Sequence, residues 1–218
     1  LPIQQLNIGI PTKIFDGKKI TVRYNEIDLD EFFDEKKANE YLKKLNKDKT
    51  FFDAEVSKSQ RKFAIGKHLN KFEIFFKHFD GEILIRSKKG KQYFEAQGAH
   101  NFLVNGEKIR IRTIRKPPGL SFDNLPDDTP FIANVDLKYS NRYLPKKSTS
   151  SFFPKNWSIE RIQEEVALVY EQMIKNGKTF HPKSINRKFD YKNSDGTFRI
   201  QIEFDNQGNF TNAYPINI

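Results

Sequence analysis

The stretch SSFFPKNWSIERIQEEVALVYEQM, from Ser150 to Met173, constrains the fold more than any other. Ile162, Val166, Val169, Tyr170 and Met173 recur at i, i+4, i+7, i+8 and i+11, which gathers them on one face of an α-helix. Ser158 ahead of the run is a good N-cap, with Arg161 rather than Glu at the box position, and Gly177 ends the helix. Phe152-Phe153-Pro154 and Trp157 form an apolar lead-in that pins the helix start to a core.

The rest of the chain reads mainly as strands. Asp16-Gly17 separates two β-prone runs and predicts a hairpin. Phe33, Ala38, Tyr41 and Leu45 predict a helix near 34–47. RKFAIGKHLNKFEIFFKHFDGEILIRS is ambiguous between helix and strand until Gly81, after which Glu82–Arg86 and Gln92–Ala96 flank SKKGK as a hairpin. In EKIRIRTIR the positions of Ile109, Ile111 and Ile114 suit a half-buried strand that slips register once. KPPGLSFDNLPDDTP is a loop and FIANVDLKYS a strand. The C-terminal part reads as a strand, a turn around Asn206–Gly208 and a last strand. The expected class is α+β, with helices gathered early and an antiparallel sheet late. Residues 1–60 stand apart as an N-terminal segment, and 61–218 form the main domain.

Composition narrows the function. The 218 residues carry 38 Lys and Arg against 28 Asp and Glu, a formal charge of +10 that favours a polyanionic partner, nucleic acid first. With 21 Phe and 8 Tyr there is ample apolar mass for a core. The absence of cysteine excludes disulfides, thiolate metal sites and cysteine nucleophiles. No apolar run is long enough to span a bilayer as a helix. The start at Leu1-Pro2, without methionine, implies a fragment or processed form of a longer protein.

The histidines are His68, His78, His100 and His181, and no two share a metal-ligand spacing. The acidic residues are scattered or on solvated faces, and no Gly-rich phosphate loop is present. What remains is metal-free acid–base chemistry on a polyanion. RNA cleavage needs a base for the 2′-hydroxyl, an acid for the leaving 5′-oxygen and a cation for the charged transition state. Histidine suits both proton-transfer roles because its ordinary pKa is about 6.5. A non-catalytic basic nucleic-acid-binding module is the alternative, and an interaction domain with incidental charge a further one.

Four ordered segments resemble the bacterial EndoU ribonuclease domains found at the C-terminal tips of contact-dependent and other polymorphic toxins. They are HFDGE at His78, GAHN at His100, SSFFPKNWSIERI at 150–162 and GNFTNAYP at 208–215. The resemblance covers roughly residues 60–218 and implies a barnase/EndoU/colicin-type ribonuclease fold. It implies that His78 and His100 form the acid–base pair, that Lys146 or Lys147 clamps the phosphate, and that Tyr214 orients the ribose or base. Ser150, Ser151 and Asn212 are the expected substrate contacts, Asn212 standing where the family has Ser or Thr. Ala99 replaces the second glycine of a Gly-Gly, a mild change if it need not take a positive φ. No metal is required, although family members respond to Mn²⁺. The expected partners are RNA and an acidic immunity protein. The expected setting is a larger toxin delivered into a target-cell cytoplasm, with residues 1–60 as an uptake or linker module.

Overall fold

The computed structural model describes residues 9–68, 81–100, 108–178 and 187–218. The chain divides into two compact units, Leu1–Gly66 and Lys67–Ile218. Among the described residues the class is α+β, with antiparallel sheets and three helices. No helix among them is long and apolar enough to cross a membrane.

The first unit is built on a meander of β1 (Thr12–Phe15), β2 (Ile20–Tyr24) and β3 (Ile27–Phe32). Asp16 closes the expected hairpin, its carboxylate accepting from the N–H groups of Lys18 and Lys19 while Gly17 takes φ +89°. The predicted early helix is α1 (Glu35–Lys47), capped by Asp34, whose side chain accepts from the Lys36 and Lys37 amides. A second helix, α2 (Lys49–His68), follows directly. It settles the first residues of the ambiguous stretch as helix, while 69–80 lie outside the described residues. Val22, Leu29 and Leu45 form the core here, with Tyr24 edge-on to Phe52 at 4.9 Å. Phe33, expected on the helix's apolar face, precedes the helix and is 78% exposed.

In the second unit, β4 (Glu82–Lys88) and β5 (Lys91–Gln97) make the expected hairpin. Lys89 and Gly90 both take positive φ, as a two-residue turn between right-twisted strands requires. A second sheet joins β6 (Ile109–Lys116), β7 (Phe131–Tyr139) and β8 (Arg142–Pro145), with β9 (Ser150–Phe152) also pairing β7. β6 slips register twice, not once, at Ile111/Thr113 and Ile114/Lys116. The first slip skips Arg112 and lets both Ile109 and Ile114 turn inward. The third sheet is β10 (Lys188–Lys192), β11 (Arg199–Phe204) and β12 (Phe210–Ile216). Strands therefore precede and follow the helices, and several small sheets replace the single late sheet expected.

Helix α3 (Ile159–Lys175) realises the opening stretch. Ser158 caps it by accepting from the Arg161 amide, and all five predicted apolar positions are buried. The apolar face lies against the third sheet, where Tyr170 meets Phe204 and Phe210 at 6.3 and 5.2 Å. The lead-in serves two layers. Phe152 stacks on Phe131 at 4.8 Å in the second sheet, while Phe153 stacks on Trp157, which meets Phe198 beside β11.

One carboxylate locks this joint. Glu165 is fully buried on α3 and accepts from the Ser194 amide, the Ser194 hydroxyl and the Arg161 guanidinium. Alanine at 165 removes the buried acceptor that those three donors share. Glu165→Ala is expected to cost about 2–4 kcal/mol of unfolding free energy. Urea denaturation measures this, and a cost below about 0.5 kcal/mol would contradict the role.

Candidate active site

Beyond the end of β5 the chain passes through Gly98 and Ala99, with φ +69° and +68°, to His100. Three hydrogen bonds lay this short segment along 150–153. The Ser150 hydroxyl donates to the Gly98 carbonyl at 3.1 Å, the His100 ring meets the Ser151 carbonyl at 2.6 Å, and the Phe153 amide donates to the His100 carbonyl at 3.1 Å. Ala99 takes the positive φ that would make replacing the glycine costly, so this substitution is not mild. Left-handed backbone costs an alanine about 1–2 kcal/mol, offset in part by burial of its methyl in the core.

Around this seam lies a cavity of 530 Å³. His100, Lys146, Lys147, Ser151, Asn212 and Tyr214 all line it, although they come from three separate stretches of chain. Ser150 does not line it. That residue is 1% exposed and its hydroxyl is committed to Gly98, so its place is beneath the site rather than against a ligand. His78, the other expected proton-transfer group, lies outside the described residues.

The bond to Ser151 fixes the state of the His100 ring. A carbonyl only accepts, so Nδ1 carries the proton and in the neutral ring the lone pair sits on Nε2. The ring is 6% exposed and stacks on Tyr214, with centroids 5.4 Å apart and planes 24° from parallel. Tyr214 is itself held. Its hydroxyl donates to Glu203 at 2.5 Å and accepts from the Gln201 amide at 2.5 Å. Burial and the adjoining Glu203 carboxylate push the phenol well above the usual tyrosine range, so it stays protonated. Burial alone would raise Glu203, but the Lys188 ammonium and the donors Tyr214 and Gln201 outweigh it and hold the carboxyl below its usual range.

The two lysines differ. Lys146 is 9% exposed, and its ammonium donates to the Ser148 hydroxyl at 3.1 Å and the Thr149 carbonyl at 3.0 Å. Burial lowers its pKa, because the ammonium loses hydration there. Lys147 is exposed, with its ammonium over the Tyr93 ring at 5.6 Å from the centroid. Asn212 places a buried carbonyl oxygen at the site that has no hydrogen-bond partner among the described residues.

Sequence reasoning missed Glu95, Gln97 and Glu203 on the lining and Gln201 behind Tyr214. A usable signal was present. RIQIEF alternates so that Gln201 and Glu203 share a face, and antiparallel pairing sets them opposite Tyr214 and Asn212. Only the register was lacking.

Glu203 supplies a pH test. Its folded-state pKa lies below its unfolded value, so its contribution is full above about pH 4.3 and is lost as pH falls through the folded value. Glu203→Gln removes that titration. The stability difference between wild type and the variant, from denaturant melts at descending pH, is expected to shrink below about pH 4.3. A difference that stays constant or widens would contradict the assignment.

No curated protein and no solved structure matches the chain. A likeness is found in one segment, less than half the chain, which starts beyond His78 and His100 and contains Lys146, Lys147, Ser151, Asn212 and Tyr214. Residues 128–217 match the family model of the bacterial EndoU nucleases.

Proposed function

We propose that the chain is an endoribonuclease that uses the 2′-hydroxyl of RNA as its nucleophile. The observation that carries this is the convergence of His100, Lys146 and Tyr214 on one cavity, in a chain of formal charge +10. One histidine takes the proton of the 2′-hydroxyl as its oxygen attacks the adjacent phosphorus. The other gives a proton to the departing 5′-oxygen, leaving a 2′,3′-cyclic phosphate and a 5′-hydroxyl. His100 is one of the pair, with Nε2 as the working nitrogen. His78 takes the other role on the strength of the sequence resemblance.

Lys146 fits the phosphate clamp better than Lys147. A desolvated ammonium gains more from an arriving phosphate than a hydrated one, because less water must be displaced at the moment of contact. Tyr214 orients His100 through the stack and meets the ribose or base with its ring, since its hydroxyl is engaged by Glu203. Asn212 and Ser151 complete the nucleotide contacts. Among the described residues no three His, Asp or Glu side chains gather as a metal site. The fold is proposed as a member of the barnase/EndoU/colicin ribonuclease type. The biological setting is proposed as a toxin delivered into a target-cell cytoplasm, with residues 1–60 as the uptake or linker module. An acidic immunity protein would complement the basic surface.

The test is incubation with total RNA, followed by analysis of the product ends. Cyclic phosphate and 5′-hydroxyl ends are expected from wild type, and His100→Ala is expected to lose at least about a hundredfold in rate. Lys146→Met is expected to lose cleavage while gaining about 1 kcal/mol of stability, because it removes a desolvated charge and keeps the aliphatic volume. Undiminished cleavage by His100→Ala would overturn the site. RNA that is bound but left intact by the wild type would favour a non-catalytic binding module.

A further inference from the structure

The catalytic cavity does not end at Glu95. Cross-strand partners of the β4–β5 hairpin share a face, and one face carries the pairs Gln97 with Glu82, Glu95 with Leu84, Tyr93 with Arg86, and Lys91 with Lys88. Gln97 and Glu95 line the cavity. Further out the same face becomes exposed and cationic, and the two carboxylates, Glu82 and Glu95, stay at its inner end. Arg86 reaches back to Glu95 at 2.9 Å. Tyr93 is 38% exposed and stands two residues, about 7 Å along the strand, beyond Glu95. Lys147, which also lines the cavity, holds its ammonium over the Tyr93 ring.

We propose that this face is a binding subsite for single-stranded RNA, in which a base flanking the cleaved nucleotide stacks on Tyr93. The flanking phosphates meet Lys147 and Arg86, and the strand runs outward to Lys88 and Lys91. The inference rests on the nuclease reading and adds to it where the rest of the substrate lies. Three observations favour RNA as the occupant. The face is continuous with the cavity, its outer side chains are cations, and an exposed aromatic ring lies among them. A ring of this kind accepts any base, because every base offers a π-face, so the subsite adds affinity with little sequence preference. Lys147 changes meaning accordingly. It is a substrate-positioning residue at the rim, and the buried Lys146 is left for the reacting phosphate.

The experiment compares two substrates, a dinucleotide with a single phosphodiester and an unstructured oligonucleotide of about twelve residues. Wild type, Tyr93→Ala and Tyr93→Phe are assayed on both, with thermal melts to show that the variants are folded. Tyr93→Ala is expected to lose about tenfold in kcat/KM on the oligonucleotide, mostly through KM. The dinucleotide, too short to reach Tyr93, is expected to change by less than about twofold, and Tyr93→Phe is expected to restore the longer substrate. An unchanged oligonucleotide rate in Tyr93→Ala would overturn the subsite while leaving the nuclease intact, and would assign the face to some other partner. An equal loss on both substrates would also overturn it. Absence of cleavage by the wild type on either substrate would overturn the nuclease reading and the subsite together.

Discussion

Three hydrogen bonds between Gly98–His100 and Ser150–Phe153 hold the candidate site together. The 98–100 segment has no sheet of its own, and the backbone at Gly98 and Ala99 is left-handed. It keeps its shape because β9 lies beside it. β9 in turn is fixed by pairing with β7 and by the stack of Phe152 on Phe131. Beyond it, Phe153 and Trp157 tie the same stretch to Phe198 and to the start of α3. The aromatic block therefore packs behind this segment. It sets where His100 stands, and Ser151 sets which of its nitrogens carries the proton.

The polar groups around the cavity show the cost of building such a site. Lys146 keeps a charge where burial disfavours it, Asn212 holds a carbonyl oxygen without a partner among the described residues, and Ala99 sits in a conformation better suited to glycine. These features destabilise the free protein. Under the proposed function, a nucleotide carrying phosphate charge and hydrogen-bond donors would offset the first two on binding. Glu203 works the other way. By accepting from Tyr214 and Lys188 it fixes the tyrosine ring against His100 and engages the phenol proton.

Local patterns in the sequence carried a good part of this, and long-range register carried the rest. The five-residue stripe of α3, its Ser158 cap and its stop at Gly177 were readable because helix periodicity and capping are local. The hairpins at Asp16-Gly17 and at Lys89-Gly90 were readable for the same reason. The number of sheets was not, since nothing local in β9 or β10 says which strand each will pair with. The second slip of β6 at Ile114/Lys116 was missed because inward burial of Ile109 and Ile114 needs only one. For the site, motif order brought His100, Lys146, Lys147, Asn212 and Tyr214 forward together. It could not separate Lys146 from Lys147, because adjacent residues on a loop differ only in how deeply tertiary packing buries them. Ser150 looked like a ligand contact by motif, but the structure buries it and commits its hydroxyl to the Gly98 carbonyl.

The central claim is that the substrate's own 2′-hydroxyl is the nucleophile, activated by His100 or its partner. The most direct measurement uses an otherwise all-ribose oligonucleotide with 2′-deoxynucleotides placed at the cleaved positions. The account predicts that this substrate still binds with wild-type affinity but is not cut at the deoxy positions. Cleavage there at the rate of the all-ribose strand would contradict it, since water or another nucleophile would then be doing the attack.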